Sequence, residues 1–207
     1  MTIGDIIELA KSTELRQIAI KNDDKAILQL INLGVVEIHK RFQLKQKETI
    51  IQLIEGVSVY QMPEDFMWLI SAYGEVPEGE VGQVELPVNV DSDPLSVNVI
   101  EFNKVQVPLV VDGEYISLIY VAQPEWITYD DGGEYKNKLV ELPVQMIDSL
   151  LFYIGYKGNA ILDNSHTPDE DIRLRRFLHS LDTVKYNGMI NMSSVNMDDR
   201  IVTKGFV

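Results

Sequence analysis

The sequence predicts an α+β fold: a helical bundle made from the N- and C-terminal segments, an inserted β-rich subdomain, and an extended C-terminal tail. Three observations carry this. Apolar residues recur at helical spacing from Lys25 to Phe42 and again from Pro143 to Val184. Between them lies a chain of short β-branched runs broken by Gly, Pro, Asn and Asp, from ETIIQLIEGVSVYQMP to ISLIYVAQPEWIT. The last stretch, MINMSSVNMDDRIVTKGFV, shows neither period. Because the helical segments bracket the strands, the simplest packing joins residues 1–46 and 139–190 in one bundle, inserts 47–138 as the β-rich part, and leaves 191–207 as the tail.

Taken in order, Thr2 and Asp5 have capping-box spacing ahead of Ile3, Ile6, Ile7, Leu9 and Ala10. A short turn or helix, ELRQIAI, leads to Asp23, whose carboxylate suits the free amides of a first helical turn. A long helix follows, KAILQLINLGVVEIHKRFQLKQK, about six turns if helical throughout. Ile27, Leu30, Ile31 and Ile38 form one face, and Gly34 lets a neighbour approach closely. Leu28, Val35, Val36 and Phe42 lie off that face. A surface helix needs one apolar stripe, so two stripes mean a central place in the bundle, a second partner outside the fold, or both.

From Glu48 the period becomes strand-like. A hairpin around Glu55-Gly56 is expected, then the strand MWLISAY, then further short strands, with Asp112-Gly113 as the clearest turn. YDDGGEYKNK reads as a loop. Pro143 suits a first helical turn, and Val144, Ile147, Leu151 and Ile154 line up after it, with Asn164 and Ser165 ending that helix. Thr167-Pro168-Asp169-Glu170 forms a second capping box before Leu174, Phe177, Leu178, Leu181 and Val184, and Asn187-Gly188 closes the last helix.

The charge balance, 18 Lys and Arg against 32 Asp and Glu, gives −14. Most of such a surface repels nucleic acid, which argues against general DNA binding but suits a wall that DNA slides past. Without cysteine there are no disulfides, thiolate metal sites or cysteine nucleophile. MTIGDIIELAKS carries acids early and has no long apolar core, so no secretory leader is expected, and no apolar run has the length of a membrane span.

Catalytic chemistry is hard to assemble. His39, His166 and His179 have no metal-pair spacing and read as solvated or helix-end residues. Asp91-Ser92-Asp93 lacks the glycine and distal glutamate of a calcium loop and reads as a turn. Glu64-Asp65 is the remaining acid pair, and adjacent acids after Pro63 usually just make a turn. Arg173, Arg175 and Arg176 form the one basic cluster, suited to DNA phosphates, to an acidic partner patch, or simply to solvent. Phe66, Trp68, Tyr73 and Trp126 fit a β core better than a ligand platform. No cofactor is expected.

NLGVVEIHKRFQL running into a strand pair, Gly56, Tyr60, Met62, Pro63, Asp65 and Phe66 at the exit of that pair, LPVQMIDSLLFYIGYKGNAI, and a terminal Lys-Gly-Phe together resemble the head-to-tail adaptor, or connector ring, proteins of short-tailed double-stranded DNA bacteriophages (tail tubular protein A-like). The resemblance implies a non-enzymatic virion protein of the neck, made in the bacterial host cytoplasm. It implies a ring of about twelve copies below the portal protein, continuing the DNA channel without sequence-specific contact, and presenting a platform to the next tail or nozzle ring or to tail fibres. It also implies a C-terminal segment that docks on the portal, here Arg200, Ile201, Val202, Lys204, Gly205 and Phe206; a frayed terminus is the plain alternative. A ring subunit needs two different adhesive faces, and Leu28, Val35, Val36, Phe42, Arg173 and Arg176 are the candidates. Another ring or scaffold of the neck that does not touch the portal is the competing assignment, and a hydrolase using Glu64 or Asp65 a distant third.

Overall fold

A computed structural model describes residues 1–75, 82–109, 111, 114–160 and 172–186. The chain divides into a helical unit, Met1–Phe42 with the described residues from Glu125 onward, and a β unit, Gln43–Pro124. The α+β class therefore holds.

In the helical unit, α1 spans Ile3–Ser12. Its capping box is complete: Asp5 N–H donates to Thr2 Oγ1 at 3.2 Å, and Thr2 N–H donates to Asp5 Oδ2 at 2.9 Å. Ile3, Ile6, Ile7 and Ala10 form its buried face. The ELRQIAI stretch yields only a 3₁₀ turn, Ala19–Asn22, although Leu15 and Ile18 anchor it in the core. Asp23 then caps α2, Asp24–Phe42, by accepting the Ala26 N–H at 2.9 Å.

Helix α2 is the centre of the unit. Ile27, Ile31 and Ile38 are fully buried, and so, to within a few per cent, are Leu28, Val35 and Phe42. Both apolar stripes are thus used inside the molecule. The helix stops at Phe42 rather than near Lys47 because Gln43 turns into the left-handed region, with φ of 47°. Gly34 meets the third helix, α3, Ile147–Ala160: a Cβ built there would lie 2.5 Å from Leu150 Cδ1 and 2.9 Å from Tyr153 Cδ1. Pro143 precedes a 3₁₀ turn, Val144–Met146, that runs into α3. Helix α4, Ile172–Tyr186, buries Phe177, Leu181 and Val184, and Ser180 ties it to Ser149 at 2.8 Å.

The segment after Pro124 belongs to the helical unit, so the second boundary lies there rather than near Lys138. Its anchor is Asn32, buried in the middle of α2, which donates to the Ile127 carbonyl at 2.8 Å and accepts the Ile127 N–H at 3.1 Å. The expected loop also contains a 3₁₀ turn, Glu134–Asn137, capped by Asp130, which accepts the Glu134 and Tyr135 amides at 3.0 and 2.9 Å. Gly133, at φ of 77°, opens it.

The β unit contains β1 (Gln46–Gln52), β2 (Val59–Gln61), β3 (Phe66–Glu75), β4 (Gln83–Leu86), β5 (Asn98–Glu101), β6 (Lys104–Gln106) and β7 (Tyr115–Ala122). Among the described residues these strands form two antiparallel sheets, in the orders β1-β7-β3-β4 and β2-β6-β5. Met62, Phe66, Leu69, Val105, Ile116 and Leu118 are among the side chains that fill its core. The expected hairpin does not form. Gly56 does turn the chain, at φ of 78°, but β1 pairs along its whole length with β7, from Gln46 opposite Val121 to Gln52 opposite Tyr115, while β2 joins the other sheet. Seven cross-strand partners on a long apolar strand outweigh what a three-residue strand offers. The Asp112-Gly113 turn, the Asn164-Ser165 helix end, the Thr167–Glu170 capping box, Asn187-Gly188 and the whole tail lie outside the described residues.

Candidate functional site

The surface of the helical unit is where the sequence-derived candidates can be located. Leu28, Val35 and Phe42 are inside, and burial corrects any picture of them as an open contact stripe; Val36 is half-buried. Arg173, half-buried, faces the side-chain amide of Asn159. Arg176 is exposed, with its guanidinium 3.3 Å from Glu14 and its Cζ 4.2 Å from the centre of the Phe152 ring. Arg41 similarly bonds Glu37 at 2.9 Å and lies 5.9 Å from the Phe177 ring centre. Lys157 sits 4.9 Å from the Tyr156 ring centre. Stacking on rings and pairing with acids hold these cations in place. Their ion pairs are largely exposed and individually weak.

A second feature is a depression of about 350 Å³ bounded by Ile3, Ile31, Val35, Ile127, Leu139 and Val140. Leu139 is 69% exposed there. At the rim Lys138 pairs with Glu125 at 2.7 Å. A third lies in the β unit, where Phe102 and Asn103 form the turn between β5 and β6 and Phe102 is 79% exposed.

The remaining chemical candidates resolve into structural roles. His39 is not solvated: it is buried, and its Nε2 donates to the Glu141 carbonyl at 2.7 Å. His179 is exposed, and His166 lies outside the described residues. Asp65 is bonded to Lys47 at 2.5 Å and to the Tyr120 hydroxyl at 3.0 Å. Burial pushes its carboxyl up, but those two hydrogen bonds, together with the Lys47 charge and a backbone hydrogen bond, hold the acid below the usual range. Burial and Asp65 push Tyr120 up to about 12. Such an acid is a staple between strands and is in no state to give or take a proton at neutral pH. Glu64 beside it is exposed. Asp93 makes a turn by accepting the Leu95 amide at 2.9 Å. Phe66 and Tyr73 are β core as expected and Trp68 is half-buried, but Trp126 belongs to the helical unit and is 47% exposed. Among the described residues no group of three or more His, Cys, Asp or Glu could hold a metal, and no helix is long and apolar enough to cross a membrane.

Residues 1–170 match the family model of the SU10 adaptor protein. The chain belongs to this family. No curated protein matches. Among solved structures, a chain described as "Neck of empty GTA particle computed with C6 symmetry" is 9% identical, with 77% of this chain and 78% of that one covered and a TM-score of 0.28. At that superposition the likeness adds nothing to the family match. The adaptor character expected from the sequence holds at the level of the SU10 adaptor family. The family match ends before Arg200, Ile201, Val202, Lys204, Gly205 and Phe206, which also lie outside the described residues. Two features of this family member escaped sequence reading. Asn32 inside an apolar helix face was a detectable signal, since a buried amide demands partners. A phenylalanine next to an asparagine between two short strands, in EFNK, was another.

Proposed function

We propose that the protein is a structural, non-catalytic virion component: a head-to-tail adaptor that forms a ring between the portal and the tail and continues the DNA channel. The observation that carries this is the match to the SU10 adaptor family over residues 1–170. Two properties of the chain are in keeping with it. Asp65 and His39, the groups closest to a catalytic role, are engaged in internal hydrogen bonds. The strong excess of acids discourages DNA from adhering to the ring. In this reading the copies number about twelve, as in tail tubular protein A-like rings of short-tailed phages, and the next tail ring or fibres sit on the far side. Val36, Arg173 and Arg176 are the exposed or half-buried members of the proposed subunit interface. Arg200 to Phe206 are the proposed portal-docking tail, with Phe206 as apolar anchor and Lys204 as its charged neighbour. The protein is made in the host cytoplasm and ends in the neck of the particle.

The test is co-sedimentation and cryo-EM of the purified chain with its cognate portal protein, comparing the full chain with one truncated after Asn191. The expected result is a ring on the portal with the full chain and none with the truncated one. Binding by both would move the docking role from the tail to the helical unit. Binding by neither would refute the portal-adjacent position.

A further inference from the structure

Tips of tight turns between strands ordinarily carry Gly, Asn, Asp or Ser. In the β5–β6 turn, Asn103 takes the left-handed φ of 53°, and the other tip residue is Phe102, 79% exposed. Ile100, also exposed, flanks it. An ion pair between Glu101 and Lys104, 2.7 Å long, brackets the turn, and the Met62 amide holds it from behind by donating to the Asn103 carbonyl at 2.8 Å. An aromatic ring on a short braced turn loses little conformational freedom when it binds, which is how the dominant anchors of interfaces are built.

The depression around Leu139 has the complementary properties. Its volume of about 350 Å³ exceeds the roughly 150 Å³ in which an apolar cavity holds benzene. Asn32, the polar side chain among its α2 residues, already uses both ends of its amide on Ile127. Apolar contact therefore displaces water there without stranding that amide. The charges at the edge match as well. Lys138 is paired with Glu125 at the depression, which Glu141 also lines, and Glu101 and Lys104 are paired at the tip. A seated tip would set Glu101 against Lys138, and Lys104 against Glu125 and Glu141, an arrangement that fixes orientation more than it adds affinity.

We infer that Phe102 of one copy seats in the Leu139-lined depression of the next copy, as a subunit contact of the ring. This rests on the ring assembly proposed above. Knob and hole are different surfaces of one chain, so the contact is head-to-tail, the kind that closes into a ring.

The chain has no cysteine, so thiol cross-linking is free of background. Glu101→Cys and Lys138→Cys change two exposed rim residues and leave the phenylalanine in place. With a short bis-maleimide, the double variant should give a ladder of cross-linked oligomers, and a mixture of the two single variants should give a dimer containing one of each. Adding Phe102→Ala should remove the ladder and weaken ring association about 30-fold, the loss of one strong anchor. Circular dichroism of that variant should be unchanged, since the side chain is exposed. Four results would overturn the inference: portal-bound rings that do not cross-link, cross-linking indifferent to Phe102→Ala, Glu101→Cys linking as readily to itself as to Lys138→Cys, or Glu101→Cys linking to the portal. In each of these a ring on the portal would leave the proposed function standing, whereas no ring with or without portal would remove both.

Discussion

Replacing Gly34 with alanine sets two effects of opposite sign against each other. In an isolated helix the change stabilises by about 1 kcal/mol, because alanine loses less backbone entropy. In α2 the new methyl would lie 2.5 Å from Leu150 Cδ1 and 2.9 Å from Tyr153 Cδ1. Neither can swing into solvent: Leu150 is fully buried and Tyr153 nearly so. Overpacking of this kind costs about 1–3 kcal/mol, and two simultaneous clashes place it near the upper end. The net expectation is a loss of about 1–2 kcal/mol, or a fall in melting temperature of roughly 2–8 °C for a chain of this size. The assay is thermal or urea unfolding followed by circular dichroism at 222 nm, which reads the helical unit, since the described residues of the β unit form strands and turns. Leu150→Ala in the Gly34→Ala background should recover part of the loss, giving a favourable coupling between two changes that are each unfavourable alone. An increase in stability for Gly34→Ala would refute the close α2–α3 approach.

Three further expectations follow from the same contacts. Asn32→Ala leaves the buried N–H and C=O of Ile127 without their amide partner, at about 1–3 kcal/mol for each group, and faster hydrogen exchange at residues 125–129 checks it. Asp24 accepts from Lys11 and from Lys136, each at 2.7 Å, and these bonds hold its carboxyl below the ordinary 3.8 against the opposing effect of burial. A depressed carboxyl contributes stability that is complete above the unfolded-state value and is lost as pH falls through the folded one. Asp24→Asn should therefore destabilise at pH 7, and its urea midpoint should fall less than that of the wild type below about pH 4. Asp65→Asn should bring Tyr120 down from about 12 without reaching the ordinary 10.0, because burial is the larger cause; absorbance at 295 nm against pH reads it directly.

Local chemistry made part of the fold legible. Thr2 with Asp5, Asp23 ahead of α2, Gly34 at a helix crossing and the apolar stripe of α4 each state their role within a few residues. The α2 terminus was misjudged because QLKQK continues to favour a helix while Gln43 adopts a left-handed conformation that glutamine seldom takes. The pairing of β1 was misjudged because a turn at Gly56 fixes where the chain bends, whereas the partner strand is decided by β7, more than 60 residues away. The boundary at Pro124 was hidden because its determinant is one amide on α2 reaching Ile127, a contact 95 residues apart in sequence. Of the candidate contact residues, Arg176 and Val36 are exposed or half-buried, whereas nothing local showed that Leu28, Val35 and Phe42 are consumed by the core. That depends on how many neighbours a central helix has. The stretch EFNK places an exposed phenylalanine where turns prefer polar residues.

The pairing of β1 with β7 has a further consequence. It joins the first and last strands of the β unit, and the Ala122 amide closes the neck of that loop on the Lys45 carbonyl at 2.8 Å. Holding together the ends of a flexible chain of about 80 residues costs roughly 4 kcal/mol. Here the sheet itself meets that cost, leaving two chain ends about 5 Å apart, the spacing of neighbouring strands. To the helices, Gln43–Pro124 is then equivalent to a short hairpin turn. The module is thus joined to the bundle through chain ends no farther apart than two paired strands. Grafting a short turn between Phe42 and Glu125 would ask whether the helices need the module at all.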